Sequence, residues 1–281
     1  MEIIVTNHIG QSLTLDMLNF PVIKIEGLTP SSSTINTSTV ATTDGSYFNS
    51  SKINQRNIVL TIVPEKCDVE KARLELYKYF KPKRKCTLNF KTKYRDVKID
   101  GYVETFEGGL YSAKQAFQIS VICPRPFFED VETVNVKQTA VYDAFEFPFE
   151  TTEEGIELST LNSLADVNVV NVGEESTGLT IELLATGTAL EPTIYNKTKN
   201  EKMTIKVELK RGDIIKIDTR QGQKRIALIS DGIQTNIINK IEKGSNWIGL
   251  EIGENIFTYS AVYGLENLIA TYSFNPLYQG V

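Results

Sequence analysis

Histidine is nearly missing from this 281-residue sequence: His8 is the only one. Cysteine is scarce too, and Cys67, Cys86 and Cys123 are spaced so that no C-x-x-C pair occurs. A structural zinc site takes about four soft ligands, which argues against metal binding through Cys and His. An odd cysteine count without secretory features also speaks against a disulfide framework. No glycine-rich phosphate loop, dinucleotide fingerprint or nucleophile elbow is present. Among 35 acids, no local arrangement selects a carboxylate pair for glycoside hydrolysis. The expectation is no catalytic residue, no metal and no cofactor.

Long apolar runs are lacking as well. Nothing approaches the roughly 20 apolar residues of a membrane helix. The opening MEIIVTNHIG has neither the basic nor the apolar region of a signal peptide. No membrane contact is expected, and the chain should stay where it is made unless it leaves inside an assembly. A formal net charge of −5 provides no overall electrostatic footprint for nucleic acid.

What is present is strand after strand, in a chain long enough for two ordinary domains or one large β domain. PVIKIEG (21–27) and NIVLTIV (57–63) alternate apolar and polar residues, with Ile58, Leu60 and Ile62 on one face. One helix is predicted from about Asp68 to Phe80, capped by Asp68 and stopped by Pro82, with Val69, Ala72, Leu76, Tyr77 and Phe80 at helical spacing. CTLNFKT, YRDVKIDGYVETF and AFQISVIC follow, so the first part reads as mainly β, barrel or sandwich, with a single helix. Further on, KMTIKVELK reads as one strand with Met203, Ile205, Val207 and Leu209 pointing the same way. Turns at Arg211-Gly212-Asp213 and Gln221-Gly222 separate it from IIKID and KRIALI, and WIGLEIG, IFTYS and NLIATYSF close a helix-free β-sandwich.

AFQISVIC stops abruptly at Cys123 against Pro124 and Pro126. Either Cys123 is a chemical site, or the prolines mark a seam. A nucleophilic cysteine needs a general base nearby, whereas a free cysteine at a strand end is usually a small buried hydrophobe. Beyond the prolines the composition turns acidic: twelve Asp or Glu from Glu129 to Glu175, against Lys137 alone. The seam is the better reading. It divides the chain into 1–130 and 131–281, with 131–155 as an acidic connection, and leaves Cys123 to packing.

Three stretches invite a functional reading. Nine Lys or Arg residues lie between Lys78 and Lys98, with Tyr79, Phe90 and Tyr94 interleaved. A single-strand nucleic-acid surface has that composition, but so does a solvated face or a protein interface, which is preferred. Trp247 in GSNWIGL could stack on a sugar ring, although a tryptophan at a strand start more often anchors a sheet. From Ser31 to Thr43, nine of thirteen residues are Ser or Thr and none is charged. Disordered segments are usually charged, and Thr, Ile and Val favour extended chain. We expect a polar two-stranded arm over about 29–55, returning near Asp44-Gly45. An arm with little apolar surface of its own needs a neighbour, which favours an oligomer. The residues expected at that oligomer interface are Ser31, Ser33, Ile35, Thr37, Thr39, Val40, Thr43 and Arg56.

Taken in order, several features resemble the distal tail proteins of long-tailed phages and prophages of Gram-positive bacteria. In the first half they are the Ser/Thr-rich arm, Asp44-Gly45, Arg56 before NIVLTIV, Arg73 and Leu76, Gly101 with Phe106, and Phe117 leading to Cys123-Pro124-x-Pro126-Phe127. In the second they are Pro192-Thr-Ile-Tyr-Asn196, Ile217-Asp218-Thr219, Trp247 with Leu250, Gly253 and Asn255, and Tyr278-x-Gly280-Val281. None of these is catalytic. The resemblance implies a structural hub at the virion tail tip, assembled in the host cytoplasm. It implies a homo-hexameric ring between the tail tube protein and a tail-associated or tail fibre protein, with DNA passing through as cargo. It also implies a galectin-like or carbohydrate-binding-module-like sandwich in 131–281 that can carry a receptor-binding protein. The galectin sugar site uses a histidine, and the second half has none, so sugar binding does not carry over. The alternative is a carbohydrate-binding adhesin or cell-wall-binding module acting through the second sandwich.

Overall fold

The computed structural model describes residues 1–42, 44–64, 68–109, 115–139, 141–143, 159–161 and 166–281. Thr43, Cys67 and residues 144–155 of the expected acidic connection lie outside them. Two compact units emerge, one made of residues 1–132 together with 277–281 and one of residues 133–276. The C-terminal pentapeptide thus belongs with the first unit, although the sequence reading places it in the second.

The first unit contains β1 (Glu2–Thr6), β2 (Ser12–Thr14), β3 (Val22–Glu26), β4 (Ser33–Ser38), β5 (Tyr47–Ile53), β6 (Arg56–Ile62), α1 (Val69–Tyr79), β7 (Lys85–Lys91), β8 (Asp96–Gly108), β9 (Phe117–Cys123) and β10 (Phe128–Asp130). An antiparallel sheet runs β2-β1-β7-β8-β9-β6-β3, with β10 on β8 and Leu277–Tyr278 on β10. Its path ends at β2 and β3 without closing, so of the two architectures expected for this unit the barrel is ruled out. The alternation in β6 is expressed as read: Ile58, Leu60 and Ile62 are all fully buried. Helix α1 begins where Asp68 accepts hydrogen bonds from the Glu70 and Lys71 amides, which satisfies donors the first turn would otherwise leave open. It buries Ala72 and Leu76, and Tyr77 meets Phe106 of β8 edge-on at 4.8 Å.

Cys86 and Cys123 are part of this core, both almost wholly buried. Cys86 pairs with Gly101 across β7 and β8, and a side chain at Gly101 would meet Val121 Cγ1 at 2.4 Å and Cys123 Sγ at 2.9 Å. The bare glycine therefore makes room for the neighbouring side chains on β9. Burial pushes both thiols up to about 12. Such groups remain protonated and unreactive near neutrality. Cys123 is packing.

The second unit is a sandwich. Its larger sheet runs Val134–Thr139, Leu268–Phe274, Thr180–Ala185, Ile214–Asp218, Arg225–Ser230, Ile233–Asn236. Its smaller sheet runs Val167–Asn171, Gly253–Ser260, Thr193–Asn196, Glu201–Thr204. One buried core joins the two inner faces, with Phe257 and Tyr272 rings 4.7 Å apart. A polar link runs through it: Tyr272 Oη donates to Gln138 Oε1 at 2.8 Å, and Gln138 Nε2 donates to the Phe257 carbonyl at 3.4 Å. The unit's first and last long strands are partners, Val134 opposite Phe274, so chain entry and exit lie side by side.

KMTIKVELK is not one strand. After Thr204 the chain leaves the smaller sheet, the Val207 amide donates to the Ile205 carbonyl at 2.9 Å, and Glu208–Leu209 pairs with Ala189–Leu190. Met203, Ile205 and Leu209 are nevertheless buried. Alternation specifies which side chains point inward, and the chain keeps that facing while it changes pairing partners.

The thiols yield a first prediction. At pH 8 a thiol reagent should leave Cys86 and Cys123 unmodified in native protein and label both in urea, as mapped by peptide mass spectrometry. Because both folded values lie above the ordinary thiol value of 9.0, the folded state holds its protons longer than the unfolded one. Their contribution to stability should be complete near neutral pH and decline as pH rises through 9 toward 12.

Candidate assembly interface

The arm expected from the sequence is a separate two-stranded sheet of β4 and β5. Every residue of Ser33–Ser38 is exposed, as are Thr39 and Val40. Side chains tie the strands together: Thr34 Oγ1 donates to Asn54 Oδ1 (3.1 Å), Asn36 Nδ2 to Ser50 Oγ (2.9 Å), and Ser38 Oγ to Asn49 Oδ1 (3.3 Å). The Ser and Thr content thus builds a polar ladder that water also tolerates.

A bulge modifies the pattern. Ile35 lies opposite Ser51 and Asn36 opposite Ser50, but Thr37 lies opposite Phe48. Residues facing each other across antiparallel strands share a face, and alternate residues along one strand share it too. The extra residue in β5 therefore moves Phe48 onto the face of Ile35, away from Ser50 and Lys52. Ile35 is 61% exposed and Phe48 66% exposed. The polar hairpin thus sets Ile35 and Phe48 on one face, while Tyr47, opposite Ser38, is exposed on the other. Among the described residues these side chains stay largely uncovered.

The root of the arm is built differently. Arg56, expected at an oligomer interface, is 3% exposed and lies within the first unit. Its Nε donates to the Pro126 carbonyl (2.6 Å), Nη1 to the carbonyls of Gly27 (2.5 Å) and Thr29 (2.6 Å), and Nη2 to that of Gln279 (2.6 Å). The guanidinium also sits 4.5 Å from the centre of the Phe128 ring. Burial pushes the guanidinium down from its ordinary value, and the nearby Cys123 acts in the opposite direction. Gly27 permits this approach: its φ is +85°, and a Cβ there would fall 2.1 Å from the Asn57 carbonyl oxygen. Ser31, also expected at the interface, has a buried Oγ with no hydrogen-bond partner among the described residues.

The other candidate stretches are less open than their composition suggests. In the basic 78–98 region, Lys78 pairs with Glu75 at 2.6 Å, Lys85 with Asp100 at 2.9 Å and Lys91 with Asp96 at 3.6 Å. Arg95 donates to the Gly280 carbonyl at 2.5 Å and stacks 4.5 Å from the Tyr278 ring centre. Lys81, Lys83 and Arg84 are exposed. In the second unit Trp247 is half-buried against the core, and Lys224 Nζ lies 5.3 Å from its ring centre. A cavity of about 330 Å³ is lined by residues including Tyr195, Asn200, Lys202 and Asn246. Two others of its residues face inward: Asn196 Nδ2 donates to the Gly249 carbonyl at 2.8 Å, and Glu201 Oε2 accepts from the Gly249 amide at 3.2 Å. No cluster of three or more His, Cys, Asp or Glu suited to a metal occurs among the described residues. Among them, too, no helix is long and apolar enough to cross a membrane.

Sequence reasoning missed two features. The buried clamp at Arg56 and the return of residues 277–281 both depend on backbone carbonyls, which no side-chain pattern encodes. One signal was available: Pro276 follows the last long strand just as Pro124 follows β9.

Replacing Arg56 with Met should keep the stem and strand the carbonyls. The expected loss is about 2–3 kcal/mol, read as a lower urea midpoint with an unchanged slope. A smaller loss would show that water replaces the guanidinium.

Comparison with known proteins places this architecture. A family model described as phage tail protein RIFT-related domain matches residues 10–123. A second, described as the C-terminal domain of siphovirus-type tail components of the SPP1 Dit kind, matches residues 172–276. No curated protein matches by sequence. Among solved structures, the chain is similar to Dit of phage SPP1, described as a paradigm of hub adsorption apparatus in phages infecting Gram-positive bacteria, with TM-score 0.69, 15% identity and 98% of each chain covered. It is also similar to a chain of the phage P2 baseplate in its calcium-activated conformation, with TM-score 0.54, 11% identity, and 98% of this chain and 97% of that one covered. At such identities the structures speak for the fold, while the two family models, in order along most of the chain, speak for descent. The chain belongs to the siphovirus-type tail components of the Dit, or distal tail, kind.

Proposed function

We propose that this protein is the structural hub of a phage tail tip. Six copies form a closed ring that joins the tail tube protein to a tail-associated or tail fibre protein, and the ring surrounds a channel for DNA. The second unit offers a mount for a receptor-binding protein. The role is structural and not enzymatic, in keeping with the tail and baseplate proteins that the chain resembles.

The observation that carries this reading is the arm. A closed ring of identical subunits needs a heterologous contact, in which one surface meets a different surface on the next copy. A two-stranded sheet alone is marginally stable in water, and this one leaves the outer edges of β4 and β5 free to pair with another chain. Its apolar face at Ile35 and Phe48 needs cover. Laid on the next subunit, the arm gains both hydrogen bonds and burial, while its Ser and Thr keep the unassembled protein soluble.

Removal of the hairpin tests this. Residues 33–53 would be replaced by Gly-Ser, joining Ser32 to Asn54 where the Asn54 amide already reaches the Ser32 carbonyl at 3.0 Å. The expected product is a folded monomer by circular dichroism and light scattering that cannot complement tail assembly. Six-fold rings from the shortened chain, seen by negative-stain microscopy, would refute the reading.

A further inference from the structure

The root of the arm is completed from the far end of the sequence. Residues 277–281, which follow the whole second unit, return to the first one. Leu277–Tyr278 pairs with β10, Phe128 opposite Tyr278 and Glu129 opposite Leu277. Beyond that strand the segment runs beside Leu28–Pro30, where the chain enters the arm. The Val281 amide donates to the Leu28 carbonyl at 3.2 Å. A Cβ on Gly280 would fall 3.1 Å from that same oxygen and 3.6 Å from Pro30 Cδ, so the backbones are in contact.

Two arginines hold the segment, Arg56 at the arm's root and Arg95 between β7 and β8. Arg56, three residues after β5, reaches Thr29 and Gly27 before the arm and Gln279 in the returning segment. Arg95 holds the Gly280 carbonyl and covers the Tyr278 ring, whose hydroxyl lies 3.2 Å from Asp130 Oδ2. Both ends of the arm and residues 279–280 thus share one network. By contrast, β4 and β5 form a sheet of their own. The arm's direction is therefore determined at its root, not along its length.

We propose that residues 277–281 act as a latch that orients the arm. Without the latch, residues 28–32 lose the backbone neighbour that fixes the angle at which β4 leaves the first unit. The arm then samples many directions, and a ring contact that requires one of them does not form. A consequence concerns timing. The arm becomes competent only after the second unit has been made and the segment beyond it has docked, so partly synthesised or partly folded chains are excluded from the ring. This rests on the ring reading above for its biological outcome, but the orientation itself is a property of the single chain.

The test uses the full chain, a version ending at Pro276, and Arg95→Ala and Tyr278→Ala in the full chain. Hydrogen exchange is followed on dilute monomer. The Asn54 amide, which donates to the Ser32 carbonyl at the arm's root at 3.0 Å, should exchange about tenfold faster or more in the truncated chain, with intermediate effects in the substitutions. The β6–β9 core and the second unit should exchange as before, which distinguishes loss of the latch from loss of the fold. Assembly into tails by complementation should fall in the same order. Unchanged exchange at the Asn54 amide in the truncated chain would overturn the latch. If exchange rises as expected but assembly is unaffected, the latch orients the arm and the claim about ring admission fails. If the truncated chain unfolds, the two substitutions decide: both must raise exchange at the Asn54 amide selectively, and failure to do so refutes the proposal. Exchange is read before any ring forms, so failure of the ring reading would leave this result distinct.

Discussion

A guanidinium surrounded by backbone carbonyls organises the first unit. Arg56 collects Gly27 and Thr29 from before the arm, Pro126 from after β9, and Gln279 from beyond the second unit. The energetics are close to balanced. Taking a charged group out of water costs several kcal/mol, and hydrogen bonds to a charged group return roughly 1.5–3 kcal/mol each. What the residue adds is geometry: a rigid planar fork whose N–H groups donate to carbonyls only in certain directions. A lysine, with one flexible ammonium, would neutralise the same oxygens without imposing their arrangement.

The arm shows the converse arrangement, with order in its ladder and almost none of its energy in burial. Its side-chain hydrogen bonds face water, where each is worth little net, and its apolar side chains point outward. Such an element draws little stability from its own contacts. The bulge opposite Asn36 and Thr37 matters here, since it places Phe48 on the face of Ile35 and leaves Tyr47 on the other, so each face carries one exposed aromatic.

Much of this was legible in the residues. Alternation in NIVLTIV placed Ile58, Leu60 and Ile62 inward, Asp68 announced the helix it caps, and the Ser/Thr run with Asp44-Gly45 announced a hairpin. These are local rules acting over a few residues. The rest was not local. KMTIKVELK kept its inward facing but not its continuity, because pairing partners are chosen at long range. The charges of 78–98 looked free until Glu75, Asp96 and Asp100 were seen beside them. Arg56 stands directly after the arm in sequence, which says nothing of its burial in the first unit, and carbonyl partners leave no trace in composition. The phage-tail resemblance supplied the family, yet its marker residues are mostly architectural. Asn255, for example, accepts from the Glu251 amide and donates to the Glu251 and Gly253 carbonyls, closing a turn.

The second unit enters and leaves the first through adjoining strands, Val134 opposite Phe274, with Asn275 Nδ2 donating to Thr133 Oγ1 at 3.1 Å. Viewed as evolutionary material, it is a cassette. Any replacement whose two ends emerge one strand spacing apart, about 5 Å, could be spliced between Glu132 and Leu277 while the first unit kept its sheet, its clamp and its arm. If the second unit is the mount proposed above, lineages could then exchange what the tail tip carries without renegotiating how the tip is built, and host range and assembly could diverge at different rates.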